Sequence, residues 1–201
     1  MTIFAVVIIA LAVAIVWRRR SPAPFPARLA LLLDIPLPGL RHAPADLVRR
    51  LALEPNMNVL EIGPGSGFYT KSLIGSGLSS RLVCLDAQPA MLQKLRKRFG
   101  AHAPSAVCGD ASALPFRAGS FARVLLVTVL GEIPDRDAAL RECARLLTEN
   151  GMLIVAETLA DPDYIPARTL VRQASDAGLS TVDRTGAWPS YTQRFSRRRP
   201  S

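Results

Sequence analysis

From about residue 44 the sequence alternates short apolar, strand-type runs with helical stretches. This alternation is typical of strand–helix–strand units, in which successive strands lie parallel and helices cover both faces of the sheet. The run over 121–129 is almost wholly apolar, as expected for a central strand buried on both faces. Only a short turn separates the last two strand-type runs, so we expect them to pair as an antiparallel hairpin. The sequence therefore predicts a doubly wound, mostly parallel α/β sheet of seven strands with a C-terminal antiparallel hairpin.

The element bounds follow from apolar periodicity and from turn residues. The predicted strands are 58–62, 81–85, 105–108, 121–129, 152–156, 180–185 and 191–195. The predicted helices are 46–53, 68–74, 89–99, 135–147 and 165–177, and Asn150-Gly151 is expected to end the fourth of them.

A glycine-rich turn follows the first predicted strand and precedes a helix. It reads Glu61-Ile-Gly63-Pro64-Gly65-Ser66-Gly67. Glycines allow the backbone to approach a ligand closely, and the helix that follows presents free N–H groups to an anionic group. The spacing Gly-x-Gly-x-Gly is not the Gly-x-Gly-x-x-Gly of nicotinamide dinucleotide sites, and no Gly-Lys-Ser/Thr of a P-loop follows. A purely structural turn remains the alternative for this motif taken alone.

Two acids follow the next two predicted strands. Asp86 ends the second strand, where a carboxylate can accept hydrogen bonds from both hydroxyls of a ribose, and Asp110 follows the third. Each acid taken singly is as well explained as a turn former or helix cap. Three ligand-type groups at the carboxyl ends of three successive strands instead indicate a binding crevice at that edge of the sheet.

Five segments, in order, resemble the successive motifs of class I S-adenosylmethionine (SAM)-dependent methyltransferases. The segments are NVLEIGPGSG, RLVCLDAQPAML, GDASALPF, FARVLLVTVLGEIPD and LLTENGMLIVAE. The most similar subgroup is the type-11 and ubiquinone/menaquinone-biosynthesis-like enzymes. The resemblance covers about residues 45–160 and implies a Rossmann-like fold, SAM as cofactor and methyl transfer as the activity.

The resemblance also implies roles for individual residues. Glu61 and the turn would hold the methionine part of SAM, Asp86 the ribose, and Asp110 the adenine amino group. Thr128 and Val129 would pass near the sulfonium. The full expected cofactor set is Glu61, Gly63, Pro64, Gly65, Ser66, Gly67, Asp86, Ala87, Gln88, Met91, Asp110, Ala111, Thr128 and Val129. Ala122 departs from the acid that the family usually carries there, and we expect a structural consequence only.

Methyl transfer from a sulfonium requires mainly positioning and removal of water, and a base only when the acceptor must lose a proton. Glu132 is the catalytic candidate, with a helix-entry role beside Pro134 as its alternative. The other acids and phenols expected near the pocket are Glu157, Asp161, Tyr164 and Tyr191, and His42 could face it from the N-terminal side.

An uncharged apolar run over Thr2–Trp17 is followed directly by Arg18-Arg19-Arg20. Sixteen helical residues reach about 24 Å against a hydrocarbon core of about 30 Å, which a thinned bilayer can accommodate. The arginines predict that the body is cytoplasmic. We expect an uncleaved single-pass anchor. The alternatives are a cleaved signal peptide, whose usual basic n-region is missing here, and a buried or interfacial helix.

These patterns divide the chain into an anchor over 1–20, a proline-rich linker with a covering helix over 21–43, and a methyltransferase domain over 44–201. The net charge of +9 is carried mostly by arginine, as in GC-rich bacterial genomes, without the aromatic-lined basic face of nucleic-acid binders. The three cysteines and two histidines lack metal-ligand spacing, so we expect buried reduced thiols and no metal.

The acceptor motif Asn/Asp-Pro-Pro-aromatic of nucleic-acid amino methyltransferases is absent after the fourth strand, where the sequence is Leu-Gly-Glu-Ile-Pro. The sequence therefore predicts a methyltransferase for a small, membrane-partitioned acceptor, lipid or quinone-like, with no nucleic-acid partner. A catalytically silent SAM-binding protein and a membrane-tethered interaction module on the same fold are the alternatives.

Overall fold

The computed structural model describes residues 42–78, 80–159 and 161–198. The strands are β1 (Val59–Ile62), β2 (Leu82–Asp86), β3 (Ser105–Cys108), β4 (Phe121–Val127), β5 (Leu147–Thr158), β6 (Leu179–Ala187) and β7 (Ser190–Arg197). The α-helices are α1 (Pro44–Leu51), α2 (Thr70–Leu73), α3 (Pro89–Phe99), α4 (Arg136–Leu146) and α5 (Ala167–Asp176). A π-helical turn over Ile74–Leu78 follows α2, and 3-10 turns cover Gly100–His102 and Leu130–Glu132.

The seven strands form one sheet in the order β3-β2-β1-β4-β5-β7-β6. Strands β1 to β5 pair in parallel, and β7 pairs antiparallel with both β5 and β6. The strand order reverses direction at β1, so β1 and its neighbours β2 and β4 form the switch point at which such sheets bind ligands. The predicted doubly wound sheet with a closing hairpin is confirmed.

Hydrophobic side chains on both faces of the sheet form two cores. One core packs α4 and α5 against residues such as Leu126, Leu153 and Val155. The other packs α1, α2 and α3 against residues such as Leu125 and Ile154. Because β4 and β5 contribute alternate side chains to both cores, their apolar runs are continuous, as the sequence indicated for a central strand.

Two element predictions are wrong. The helix predicted over 68–74 begins only at Thr70, and a π turn extends the segment to Leu78, where the left-handed Gly77 ends it. Asn150-Gly151 does not end a helix but lies within β5. The reason is Leu147, which caps α4 in an extended conformation and is fully buried, so the chain enters the strand five residues earlier than predicted.

A buried arginine joins β4 to the end of α1. The Arg123 guanidinium donates to the carbonyl oxygens of Leu51 and Ala52, at 2.9 Å for Ala52, and to that of Ala122 at 2.8 Å. The last carbonyls of a helix have no partner within the helix, so this side chain satisfies them. The neighbouring Ala122, where an acid was expected, lies at the same amino edge of the sheet, away from the ligand edge.

The anchor, the arginine triplet and nearly all of the predicted linker lie outside the described residues. Within the described ranges, no helix has the length and apolar character needed to cross a bilayer. The cysteines there are free, with Cys84 and Cys143 buried. Cys108 is exposed, so the prediction of a buried thiol is wrong for it, because it ends an edge strand whose carboxyl end is open.

Candidate functional site

A cavity of about 770 Å³, part of it open to solvent, lies at the carboxyl ends of β1, β2 and β4. Its wall comes from the loops that leave these strands, because parallel strands deliver their following loops to the same edge. The expected cofactor residues in its wall are Gly63, Gly65, Asp86, Ala87, Gln88, Met91, Asp110, Ala111, Thr128 and Val129. Residues from four separate sequence segments therefore meet around one space.

The glycine turn uses left-handed backbone conformations that other residues rarely adopt. The φ angles of Gly63, Gly65 and Gly67 are 67°, 55° and 86°. A Cβ atom on Gly63 would lie 2.5 Å from a Val129 methyl group, and one on Gly67 would lie 2.7 Å from the Phe99 ring. The turn thus packs tightly against the end of β4 on one side and against α3 on the other, which fixes its position at the cavity.

Asp86 stands at the end of β2 with its carboxylate in the cavity wall. The side chain accepts the backbone N–H of Gln88 at 2.9 Å and a backbone hydrogen bond from Gly65. Burial raises the pKa of Asp86, and these two hydrogen bonds oppose the rise. A carboxylate has more acceptor positions than these two donors use, so it can also accept hydroxyl groups from a ligand.

Asp110 lies on the same side of the cavity, after β3. Its carboxylate accepts the backbone N–H of Ser112 at 2.8 Å, and hydrogen bonds from Ser112 lower its pKa. The side chain is exposed, and its neighbour Ala111 is buried. This places an exposed, ionised acceptor in the cavity wall.

Thr128 has a backbone conformation that is rare for a β-branched residue. Its φ is 53°, and its backbone N–H donates to the Ala156 carbonyl at 2.9 Å while its hydroxyl donates to the Val127 carbonyl at 2.8 Å. Such strained residues cost about 1–3 kcal/mol and cluster at functional sites. The strain turns the chain sharply after β4 and brings Val129 over Gly63.

Four expected cofactor residues are not among the residues that line the cavity. They are Glu61, Pro64, Ser66 and Gly67. The Glu61 side chain is 3% exposed, accepts the Thr70 hydroxyl at 2.7 Å and contacts the Cys84 thiol at 3.5 Å. Burial raises the pKa of Glu61 to about 7, against the lowering effect of these two hydrogen bonds. In this structure the Glu61 side chain joins β1 to α2 and β2.

Of the candidate bases, Glu132 lines the cavity. It ends the 3-10 turn that follows β4, beside Ile133 and Pro134, which also belong to the wall. The turn packs tightly on the loop after β5, because a Cβ atom on Gly131 would lie 2.0 Å from the Asp163 carbonyl oxygen. Glu132 is therefore held at the cavity mouth by the backbone.

Glu157 and Tyr191 are buried structural groups, which contradicts their candidacy as accessible bases. Glu157 is fully buried; it accepts the Ile165 N–H at 3.2 Å, and its second carboxylate oxygen has no partner among the described residues. Burial, and next the negative charge of Asp161, raise its pKa well above the ordinary value. The Tyr191 hydroxyl donates to the Ile165 carbonyl at 2.6 Å.

His42 does not face the cavity. Its ring contacts the Glu157 carbonyl oxygen at 3.0 Å and the Thr192 hydroxyl at 3.3 Å, so it ties the chain before α1 to β5 and β7. Burial is the main reason that its pKa is lowered.

Sequence reasoning missed part of the wall. The residues are Ile62, Leu85, Gly109, Val127, Ile133 and Pro134. Three of them, Ile62, Leu85 and Val127, are apolar residues at or next to the ends of strands, and in the sequence they look the same as core residues. Only their position next to Gly63, Asp86 or Thr128 distinguishes them.

Comparison with known proteins decides the family. A family model described as a methyltransferase domain matches residues 60–155. The demethylmenaquinone methyltransferase of Mycolicibacterium vanbaalenii is 31% identical over 161 residues, which are 73% of this chain and 68% of that relative. The chain belongs to the class I SAM-dependent methyltransferases. The predicted resemblance is confirmed.

A second relative and a solved structure are consistent with this assignment. The malonyl-[acyl-carrier protein] O-methyltransferase of Halorhodospira halophila is 34% identical over 99 residues, 49% of this chain, and the chain spans only 34% of that relative's length. The structure of a SAM-dependent methyltransferase from Aquifex aeolicus has a TM-score of 0.75 at 16% identity and covers 85% of this chain and 98% of its own, which shows the shared fold.

The cavity has the chemistry that the family's cofactor, SAM, requires. The carboxylates of Asp86 and Asp110 in its wall can accept hydrogen bonds from hydroxyl and amino groups, and the left-handed glycines leave the turn without side chains. Apolar strand ends such as Ile62 and Val127 form the remaining wall. The residues present therefore fit a nucleoside with a polar amino-acid tail.

Proposed function

We propose that this chain is an enzyme that transfers a methyl group from SAM to a small, membrane-partitioned acceptor, lipid or quinone-like, at a cytoplasmic membrane surface. The observation that carries the proposal is the convergence of the glycine turn, Asp86 and Asp110 on one cavity at the switch point of the sheet. Neither the turn nor an acid alone would support it.

The chain's own residues hold the cofactor in this proposal. Asp86 accepts the ribose hydroxyls, Asp110 accepts the adenine amino group, and the backbone around Gly63 and Gly65 meets the methionine portion. Val129 packs over Gly63 and helps to exclude water from the reacting end. SAM, when bound, supplies an already activated methyl group for in-line displacement, so positioning and desolvation account for much of the rate.

Glu132 is the proposed proton acceptor for an acceptor atom that must lose a proton. It is the candidate that lines the cavity, whereas Glu157 and Tyr191 are buried and occupied in the fold. A positioned carboxylate base contributes about 10²–10⁴-fold in rate. We expect Glu132→Gln to lower kcat by about 10²-fold or more and to leave the SAM dissociation constant unchanged. A loss of SAM affinity instead would make Glu132 a cofactor ligand.

Two observations support a membrane-partitioned acceptor. One is the uncharged run Thr2–Trp17 followed directly by three arginines, the flanking pattern of an anchor. The other is that a relative covering most of this chain is named as a demethylmenaquinone methyltransferase. A relative named for a malonyl-acyl-carrier protein makes a carrier-bound carboxylate the alternative acceptor.

The test is methyl transfer by the full-length protein in vesicles of total bacterial lipid, with SAM that carries an isotopic label in its methyl group. We expect label in the organic extract with the wild-type protein and none with Asp86→Ala. Label on the free carboxylate of an added malonyl-acyl-carrier protein, and not in the extract, would contradict the lipid or quinone class. SAM binding without any transfer would make the chain a silent SAM-binding protein.

A further inference from the structure

The hairpin between β6 and β7 carries a large aromatic side chain, Trp188, that is exposed to solvent. Among the described residues the exposed large hydrophobic side chains are Leu159 (40% exposed), Val182 (46%) and Trp188 (78%). Leu159 and Trp188 adjoin each other, because the Leu159 N–H donates to the Pro189 carbonyl at 2.8 Å. We call Leu159, Trp188 and Pro189 the tip surface. Apolar side chains that are exposed together mark interaction sites more often than scattered ones do.

The topology places the tip surface at the ligand edge of the sheet. Thr158, the last residue of β5, pairs with Ser190, the first residue of β7, so the hairpin turn lies at the carboxyl end of β5. The carboxyl ends of β1, β2 and β4, which form the cavity, face the same edge. A partner seated on the tip surface therefore stands on the side from which the cavity opens.

The chain that precedes the described body also enters at this edge. His42 contacts Glu157 and Thr192, which lie one and two residues inside the pair Thr158 and Ser190. Thr192 is three strand residues from Pro189, a distance of about 10 Å. Residues 1–41, with the uncharged run Thr2–Trp17, thus join the body beside the tip surface.

We propose that the tip surface docks on the lipid bilayer, at the level of the headgroups, as a second contact besides the N-terminal run. An indole ring with one N–H donor is favoured at that level, where its apolar ring is buried and its donor stays hydrated. Arg184, exposed on β6 near the turn, adds a cation that suits anionic headgroups. The side chains of Leu159 and Trp188 form a patch far too small for a stable protein interface, which buries about 1,000 Å².

The inference rests on the membrane part of the proposed function and adds an orientation to it. With both contacts on the bilayer, the cavity mouth faces the membrane, and a membrane-partitioned acceptor can enter without crossing water.

The two tryptophans of the chain, Trp17 and Trp188, allow each contact to be measured separately. Trp17→Phe in the full-length protein leaves Trp188 as the single tryptophan, and Trp188→Phe leaves Trp17. Each variant is reconstituted in vesicles of phosphatidylcholine and phosphatidylglycerol, with and without bromine on the acyl chains near the glycerol. Bromine quenches only an indole that lies in the bilayer. As a control for folding, Trp188→Ser should bind SAM as tightly as the wild-type protein.

We expect the Trp188 emission of Trp17→Phe to lie to the blue of an indole in water and to lose intensity in brominated vesicles. If Trp188 emits like an indole in water and bromine does not change its intensity, the proposal is overturned. Protection of Trp188 from acrylamide without quenching by bromine would also overturn it, because the linker over 21–43 or a second copy of the chain would then cover the tip surface. If Trp17 is quenched and Trp188 is not, only the tip proposal fails; if neither is quenched, the membrane part of the proposed function fails with it.

Discussion

Gly63 carries two separate constraints at one position. Its φ of 67° disfavours any other residue, and a Cβ atom there would lie 2.5 Å from Val129, which belongs to the cavity wall. We expect Gly63→Ala to lower the free energy of unfolding by about 2 kcal/mol, because alanine is strained at this φ and its Cβ displaces Val129. SAM binding should also weaken, because the displaced Val129 belongs to the cavity wall. Urea unfolding and calorimetry measure the two effects.

Gly75 provides the matched control for that substitution. Its φ is not positive, and no atom lies within 4 Å of the place where its Cβ would be. Gly75→Ala should leave SAM affinity unchanged and should keep or slightly raise stability, since alanine is favoured over glycine in a helical turn by up to about 1 kcal/mol. Equal behaviour of the two variants would show that the turn is not constrained as described.

Among the elements, β1 and α2 are joined through a titratable group. The folded-state pKa of Glu61 is about 7, above its ordinary 4.5, because of burial. The contribution of Glu61 to the free energy of unfolding should therefore be highest below pH 4.5, where the carboxyl is neutral in both states, and should fall as pH rises to about 7. Glu61→Gln keeps an acceptor for Thr70 and cannot ionise, so this decrease should be absent in the variant.

The difference between the two pH profiles isolates Glu61, because other buried acids such as Glu157 contribute equally to both proteins. We expect that difference to be on the order of 3 kcal/mol between the ends of the window. Parallel profiles for wild type and Glu61→Gln, measured by urea unfolding from pH 4 to 8, would refute the buried position of this carboxyl.

Arg123 joins β4 to the end of α1. Arg123→Leu removes the donors of three carbonyl groups, so we expect the free energy of unfolding to fall by about 1–3 kcal/mol. SAM affinity should not change, because Arg123 lies at the edge of the sheet opposite to the cavity. The exposed Arg81, whose hydrogen bonds to Asn56 and Asn58 are at the surface, is the control, and Arg81→Leu should cost less than about 1 kcal/mol. A larger loss for Arg81→Leu than for Arg123→Leu would contradict this account.

At the scale of the whole molecule, the sequence predicted those element ends and site residues that depend on neighbouring residues in the chain. The helix 89–99 and the strand 105–108 agree with the structure at both ends, because proline starts the helix and turn residues flank the strand. The acids Asp86 and Asp110 were found because each follows a strand at the ligand edge. The length of β5 was not predicted, since its first residue, Leu147, pairs with Phe121 of β4, and its last two pair with β7 more than thirty positions later in the chain.

In strands that are buried on both faces, the sequence could not predict towards which face a side chain points. Glu61 and Glu157 stand in strands whose neighbours are apolar on both faces, so nothing in the pattern shows towards which face each carboxyl points. The structure buries both as fixed parts of the fold. Arg123 was missed for the same reason, because its partners are carbonyl groups of a helix end more than seventy residues away.

The central claim is that the cavity is a SAM site organised by Asp86, and calorimetric titration of the full-length protein with SAM tests it most directly. We expect one SAM per chain, and a loss of about 2–3 kcal/mol of binding free energy in Asp86→Ala, the size of hydrogen bonds to a charged group. The thermal unfolding midpoint of each protein shows that it is folded. Absence of SAM binding by the folded wild-type protein, or unchanged affinity in folded Asp86→Ala, would contradict the account.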